Sequence, residues 1–199
     1  MDRSARSRMA GFTLIELMVA LTVLAIIAMA ALPAYRDFFE RYRLRGAVDD
    51  VTSVIATARA GAVKADRDVN VSFGGSASSW CVGAAAALEP EDGAPAPGAV
   101  ACNCVSNSPQ CLVGGSLIRV APGKHAGVSI GSVSTNFAFD SKLGVIQPLG
   151  SACTTLTSPN GTYTVQVNVN ALGQTTTCST AGSMAGVTSC TDMGVAACP

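Results

Sequence analysis

Hydrophobic positions follow two different patterns along the first third of the chain. Residues Phe12 to Leu32 form 21 almost wholly apolar positions, and as a helix they would span about 31 Å, the thickness of a bilayer core. Further along, apolar residues recur alternately every four and three positions, which places them on one stripe of a helix. We therefore predict a helix from about Phe12 to Lys64, with a bilayer-length first half and a core-facing second half. The stripe consists of Leu44, Val48, Val51, Ile55, Ala58 and Ala62.

After Lys64 the pattern changes to short β-branched runs separated by Gly, Ser, Asn and Pro, which is typical of strands. Tyr163, Val165, Val167 and Val169 alternate with polar residues, so we expect that strand to have one buried and one wet face. The fold class predicted is α+β, a long N-terminal helix packed on a β-rich C-terminal head. The predicted strands are Val69–Phe73, Trp80–Ala84, Leu117–Val120, Phe137–Phe139, Val145–Gln147, Tyr163–Val169 and Gln174–Cys178.

A secretory signal peptide is the simplest alternative for the apolar run. The leader contains Arg3, Arg6 and Arg8, and Ala28-Met29-Ala30 supplies a small-x-small cleavage site. Two features argue against this alternative. Glu16 stands inside the apolar run, where an unpaired ionisable group costs about 2.5–3.5 kcal/mol, and the helical pattern continues past Pro33.

The cysteines indicate disulfides rather than a metal site. The chain has eight, all at or after Cys81, which suits an oxidising compartment. Eight cysteines allow 105 pairings, and the sequence does not choose among them. A zinc site is the alternative, but the single histidine, His125, has no second histidine to pair with, and the cysteine spacing does not form two ligand halves. The disulfide candidates are Cys81, Cys102, Cys104, Cys111, Cys153, Cys178, Cys190 and Cys198.

Charge and composition exclude several functions. Charged residues make up 13% of the chain and balance to zero, so the bulk composition does not point to nucleic acid. No nucleophile elbow, phosphate-binding glycine loop or paired-acid motif is present, so we predict neither an enzyme nor a cofactor. Asp49 and Asp50 are expected on a solvated helix face, and Trp80 in the core. The stretches 89–110 and 179–199 are expected to be long loops tied down by disulfides.

The stretch Gly11-Phe12-Thr13-Leu14-Ile15-Glu16-Leu17 resembles the cleavage and methylation motif of type IV prepilins. The resemblance implies that a prepilin peptidase cuts between Gly11 and Phe12 and that Phe12 is then N-methylated. It also implies that Glu16 pairs with the new amino terminus of a neighbouring subunit inside the filament, where the paired charge sets the register. Pro33 matches the usual kink position of the family.

These implications divide the chain into three parts. Residues 1–11 are the leader peptide, residues 12–33 the transmembrane and filament-core half of the helix, and residues 34–199 a periplasmic pilin-like head. The protein is expected in the bacterial inner membrane as a single-pass protein, and then in a pilus or pseudopilus. Its expected partners are the prepilin peptidase, the inner membrane, and other major and minor pilins or pseudopilins.

The head resembles the GspH/FimT-type pseudopilins and minor pilins. The similarity lies in residues 57–64, 69–73, 137–144 and 167–173. Members of that family serve as low-abundance subunits that prime or cap a filament. One departure from the family pattern bears on DNA binding. Family members often have arginines after the glycine that matches Gly173, and in some FimT-type pilins these arginines are associated with DNA binding. This chain has Gln174-Thr175-Thr176-Thr177 instead.

Three functions follow from this resemblance. The favoured one is a minor type IV pilin that primes or caps assembly. A pseudopilin of a type II secretion system is the first alternative, because it shares every residue argued above. A DNA-uptake or adhesive tip subunit is the second, although phosphate contacts dominate DNA affinity and the missing arginines argue against nucleic acid.

Overall fold

The computed structural model describes residues 12–75, 79–87, 102–105, 111–120, 124–133 and 136–198. It divides into two compact units, one through Phe39 and one from Glu40 onward, and each is described by itself. The arginines of the leader, Gly11 and most of the predicted 89–110 loop lie outside the described residues.

One long helix, α1, covers Leu14–Ala65, within two residues of the predicted ends. It begins where the Thr13 hydroxyl accepts a hydrogen bond from the Glu16 amide at 3.3 Å, as an N-cap residue does. The helix continues through Pro33, and a kink there stays a prediction. It ends at Ala65, because the next residue, Asp66, has a φ of +50°. The Arg67 amide bonds back to the Ala62 carbonyl at 3.2 Å to close the last turn.

The part of α1 within the second unit packs its predicted stripe into the core. All six stripe residues, Leu44 to Ala62, are buried, so this prediction is confirmed. They join one hydrophobic cluster that also contains valines, phenylalanines and an isoleucine from both larger sheets. Trp80 belongs to the same cluster, and its indole N–H donates to the Val128 carbonyl at 2.8 Å. Trp80 is thus a core residue, as predicted.

The strands of the second unit form three antiparallel sheets. The strand order is β5-β2-β1-β7-β8 in the first sheet, β11-β10-β9-β6 in the second, and β3-β4 in a short hairpin. In the described parts of the chain the strands are β1 (Val69–Gly74), β2 (Cys81–Ala86), β3 (Leu112–Val113), β4 (Ser116–Leu117), β5 (Arg119–Val120), β6 (Ser129–Val133), β7 (Phe137–Phe139), β8 (Ile146–Gln147), β9 (Ala152–Thr157), β10 (Thr164–Val169) and β11 (Thr175–Ala181).

Several strand predictions need correction. The predicted strand Leu117–Val120 is two strands, because β4 pairs with β3 while β5 pairs with β2. Strands β3, β6 and β9 were not predicted; β9 is rich in threonine and lacks a run of large apolar residues. The predicted loop 179–199 begins later, because β11 continues through Ala181.

Strand β10 also departs from its predicted pattern. Tyr163, Val165, Val167 and Val169 are buried as expected, but Gln166 on the other face is only 1% exposed. The C-terminal segment covers that face, because the Gln166 side chain bonds to backbone atoms of Ala196 and Cys198. The face of β10 that was predicted to be solvent-exposed is therefore buried at Gln166.

Candidate functional site

The apolar N-terminal segment is uncovered within its own unit. Residues 12–32 are all exposed, with Phe12 at 84%. Within the described residues, α1 contains a stretch that is long and apolar enough to cross a membrane. A surface this apolar needs either lipid or other protein around it, because leaving it in water forfeits the free energy of burial.

Glu16 lies in the first turn of α1 and its side chain is exposed. The positive end of the helix dipole favours a carboxylate at this place. In an apolar environment, however, that dipole replaces only part of the lost hydration, and a neighbouring positive charge would stabilise the carboxylate further. The structure describes Phe12 and Glu16, whereas Gly11 lies outside the described residues; Pro33 is described only as part of the helix.

An aromatic group follows the apolar run in the first unit. The ring centroid of Phe39 lies 4.6 Å from that of Tyr35 and 5.7 Å from that of Phe38, and Tyr35 and Phe38 are both more than 60% exposed. Aromatic residues at the end of a membrane span are typical of the lipid–water interface. These residues were not predicted to be functional, although their position just after Leu32 could have pointed to them.

All eight cysteines form disulfides in the structure. Cys81–Cys104 and Cys102–Cys111 build a second small core beside β2, where Gly83 leaves the space that the sulfurs occupy. Cys153–Cys198 and Cys178–Cys190 tie the C-terminal segment to β9 and β11. The sequence indicated disulfides, and the fold decides which cysteines meet.

A polar cluster fastens a loop to α1 in the second unit. Asp50 accepts from Lys124 Nζ at 2.6 Å and lies 2.8 Å from His125 Nε2, and the imidazole stacks parallel to Trp80 with centroids 6.5 Å apart. Partial burial by itself would raise the pKa of Asp50, but the hydrogen bonds and charges of Lys124 and His125 outweigh it and lower that pKa. Asp49 is exposed as predicted, whereas Asp50 is half-buried and not part of a plain solvated face.

Comparison with known proteins connects the N-terminal segment to a family. The model of the prokaryotic N-terminal methylation motif matches residues 6–32, which include Gly11, Phe12 and Glu16. Two fimbrial proteins of Pseudomonas aeruginosa are each 37% identical over 59 residues, which is 30% of this chain and 38% of theirs. The chain thus spans well under half the length of these relatives.

A search of solved structures found the type IV minor pilin FimU of Pseudomonas aeruginosa. The two chains share 13% sequence identity, and the match covers 70% of this chain and 90% of that one with a TM-score of 0.45. The architecture described above, one long N-terminal helix and a β-rich C-terminal region, is the one predicted from the sequence.

Proposed function

We propose that this type IV prepilin-like chain is a minor pilin of the GspH/FimT type, a structural subunit that primes or caps pilus assembly. The observation that carries the proposal is the methylation motif at residues 6–32, which includes the fully uncovered apolar segment 12–32 with its single carboxylate at Glu16. The helix anchors the subunit in the inner membrane before assembly. It becomes part of the filament core afterwards.

Processing and assembly depend on different residues of this segment. A peptidase that cuts between Gly11 and Phe12 would create a positively charged amino terminus four residues before Glu16. In a filament, the carboxylate of Glu16 pairs with the amino terminus of a neighbouring subunit. Because breaking a desolvated ion pair costs about 3–5 kcal/mol, only one axial register between subunits is favourable.

The head would remain in the oxidising space outside the membrane. Four disulfides in the structure support this location, since such bonds persist there and not in a reducing cytosol. The disulfide-tied loops favour an exposed pilus subunit over a subunit of a short periplasmic filament. A pseudopilin of a type II secretion system is the alternative that the first experiment separates.

That experiment counts surface pili sheared from cells with this gene deleted, compared with the parent and with a complemented strain. Loss of pili that complementation restores is the expected result for a subunit that primes assembly. Unchanged pili together with a secretion defect would move the assignment to the secretion pseudopilin.

Substitution of Glu16 tests the assembly mechanism. We expect Glu16→Gln to be cut and methylated normally, yet to enter sheared filaments at least tenfold less than the parent chain, because the neighbouring amino terminus loses its counter-charge. Glu16→Asp, which keeps the charge, is the matched control and should be closer to the parent. Normal incorporation of the Gln variant would refute the pairing.

Substitution of Gly11 tests processing. A branched side chain in Gly11→Val should block the cut, which mass spectrometry of the membrane-bound protein would detect as a retained leader and a missing N-methyl group on Phe12. A Gly11→Val protein with a free, methylated Phe12 would show that cleavage does not depend on this glycine.

A further inference from the structure

A groove of about 570 Å³ on the second unit combines one cation with apolar walls. The last turns of α1 form one wall and two tight turns of the β-rich part form the other. The lining includes Ala56, Arg59, Ala60, Val63, Leu143 and Gln174.

Both tight turns are held by their own polar side chains. In the first, the Asp140 carboxylate accepts from the amides of Lys142 and Leu143 at 3.0 and 2.9 Å. In the second, Asn170 Oδ1 accepts from the Gln174 amide and Asn170 Nδ2 donates to Gln174 Oε1, both at 2.9 Å. Such side-chain bonds fix the turns before any ligand arrives, which lowers the entropy cost of binding.

Arg59 is clamped between these turns. Its Nε donates to the Gly144 carbonyl at 3.0 Å. Gly144 and Gly173 have φ of +63° and +74°, and a Cβ at Gly173 would lie 2.9 Å from Arg59 Nε. Only glycine therefore fits both the backbone and the close approach of the guanidinium.

The hydrogen-bonding capacity of Arg59 is incompletely used. Among the described residues no carboxylate forms an ion pair with its guanidinium. A guanidinium matches a carboxylate with two parallel hydrogen bonds. The unused donors of Arg59 therefore favour an anion in the groove.

The walls of the groove select what carries that anion. Leu143 is 73% exposed and Val63 50% exposed, so each has apolar surface that a partner could cover. Gln174 can still donate from Nε2, since its Oε1 accepts from Asn170. A single clamped cation with apolar walls suits a carboxylate on an aliphatic segment better than a phosphate chain, which needs a row of cations.

We propose that this groove binds an acidic side chain, flanked by an aliphatic residue, of another pilin subunit, with Arg59 contacting the carboxylate. The identity of the partner rests on the proposed function, whereas the chemistry of the groove does not. The contact would add a polar link between neighbouring heads to the Glu16 pairing and the apolar packing of the N-terminal helices.

The test uses the full mature chain in detergent micelles and two probes, N-acetyl-Leu-Glu-amide and N-acetyl-Leu-Gln-amide. In ¹⁵N NMR titrations, the acidic probe should shift the amides of Leu143, Gly173 and Gln174 saturably. The neutral probe should bind at least tenfold more weakly. An equal response to both probes, or no response at these amides, would overturn the proposal.

Two variants locate the binding. Arg59→Gln should abolish the response to the acidic probe, while Arg43→Gln, an exposed arginine elsewhere on α1, should leave it unchanged. Leu143→Glu places a carboxylate at the rim without touching the Arg59 bond, and should weaken binding at least tenfold even if Arg59→Gln disturbs the turns. Unchanged binding by Leu143→Glu would contradict the proposal. These titrations involve no pili, so a failed minor-pilin assignment and a failed groove assignment give different results.

Discussion

The clearest energetic prediction concerns Gln166, a buried amide on β10. Its Nε2 donates to Asn168 Oδ1 at 2.7 Å and to the Ala196 carbonyl at 2.8 Å, and its Oε1 accepts from the Cys198 amide at 3.2 Å. Gln166→Leu removes all three hydrogen bonds. Two of them hold the last residues of the C-terminal segment to the sheet. The rest of that segment stays attached through its two disulfides and through the backbone hydrogen bonds of Ser179 with Thr188 and Cys190.

The expected loss follows from these three bonds. A hydrogen bond contributes about 0.5–1.5 kcal/mol net, so the three sum to about 1.5–4.5 kcal/mol. The more apolar leucine side chain offsets about 1 kcal/mol of this through burial. We therefore expect a net destabilisation of about 0.5–3.5 kcal/mol. For a unit of this size, each kcal/mol lowers Tm by about 2–4 °C.

Thermal unfolding of the full chain in detergent, followed by circular dichroism, measures the difference. Gln147→Leu is the matched control, because the Gln147 side chain is exposed and donates to Asp140 at 3.1 Å, and it should change stability by less than about 0.5 kcal/mol. Hydrogen exchange at the Cys198 amide should accelerate in Gln166→Leu alone. If both variants have the same Tm and the Cys198 amide exchanges at the parent rate, Gln166 does not hold the C-terminal segment to the sheet.

Two further predictions concern the disulfides packed against Gly83 and the contact of Asp50 with Lys124 and His125. A Cβ at Gly83 would clash with Cys102 Sγ, so Gly83→Ala should leave titratable free thiols. Gly150→Ala, whose Cβ would lie at an ordinary contact distance of 3.9 Å from the Pro148 carbonyl oxygen, should leave none; equal thiol counts would refute this. Asp50→Asn should destabilise the second unit by about 1 kcal/mol at neutral pH. Because the folded pKa of Asp50 is lowered from 3.8, this stabilisation is present above that pH and is lost as pH falls below it. The Tm difference between parent and Asp50→Asn should therefore shrink as the pH falls below 3.8, and a difference that does not change with pH would contradict the assignment.

Local patterns predicted much of the fold. The stripe from Leu44 to Ala62 is buried as the spacing required, and strands β1, β7, β8, β10 and β11 fall within predicted runs or next to them. Strand β2 was predicted one residue early and too short. Strands β6 and β9 were not predicted, because threonine, serine and glycine interrupt their apolar residues. Pairing with a neighbouring strand, more than intrinsic propensity, makes these segments strands.

The N-terminal segment was the part of the candidate site that sequence could identify. Gly11, Phe12 and Glu16 form a contiguous motif, and the length of the apolar run sets its physical role. Neither depends on contacts with distant residues. The Arg59 groove had no such signal, since it needs two turns that are separated from α1 by more than 75 residues.

The amino-acid order thus determined the elements whose physical cause is local: the bilayer-length helix, its buried stripe, the carboxylate inside the apolar run and the confinement of cysteines to the head. The tertiary structure decided which cysteines pair, why Gln166 is buried, and how Asp50 meets a loop 75 residues away. Periodicity reports only which side of an element avoids water. Which distant group then occupies that side depends on chain closure over many residues, and no short window of sequence contains it.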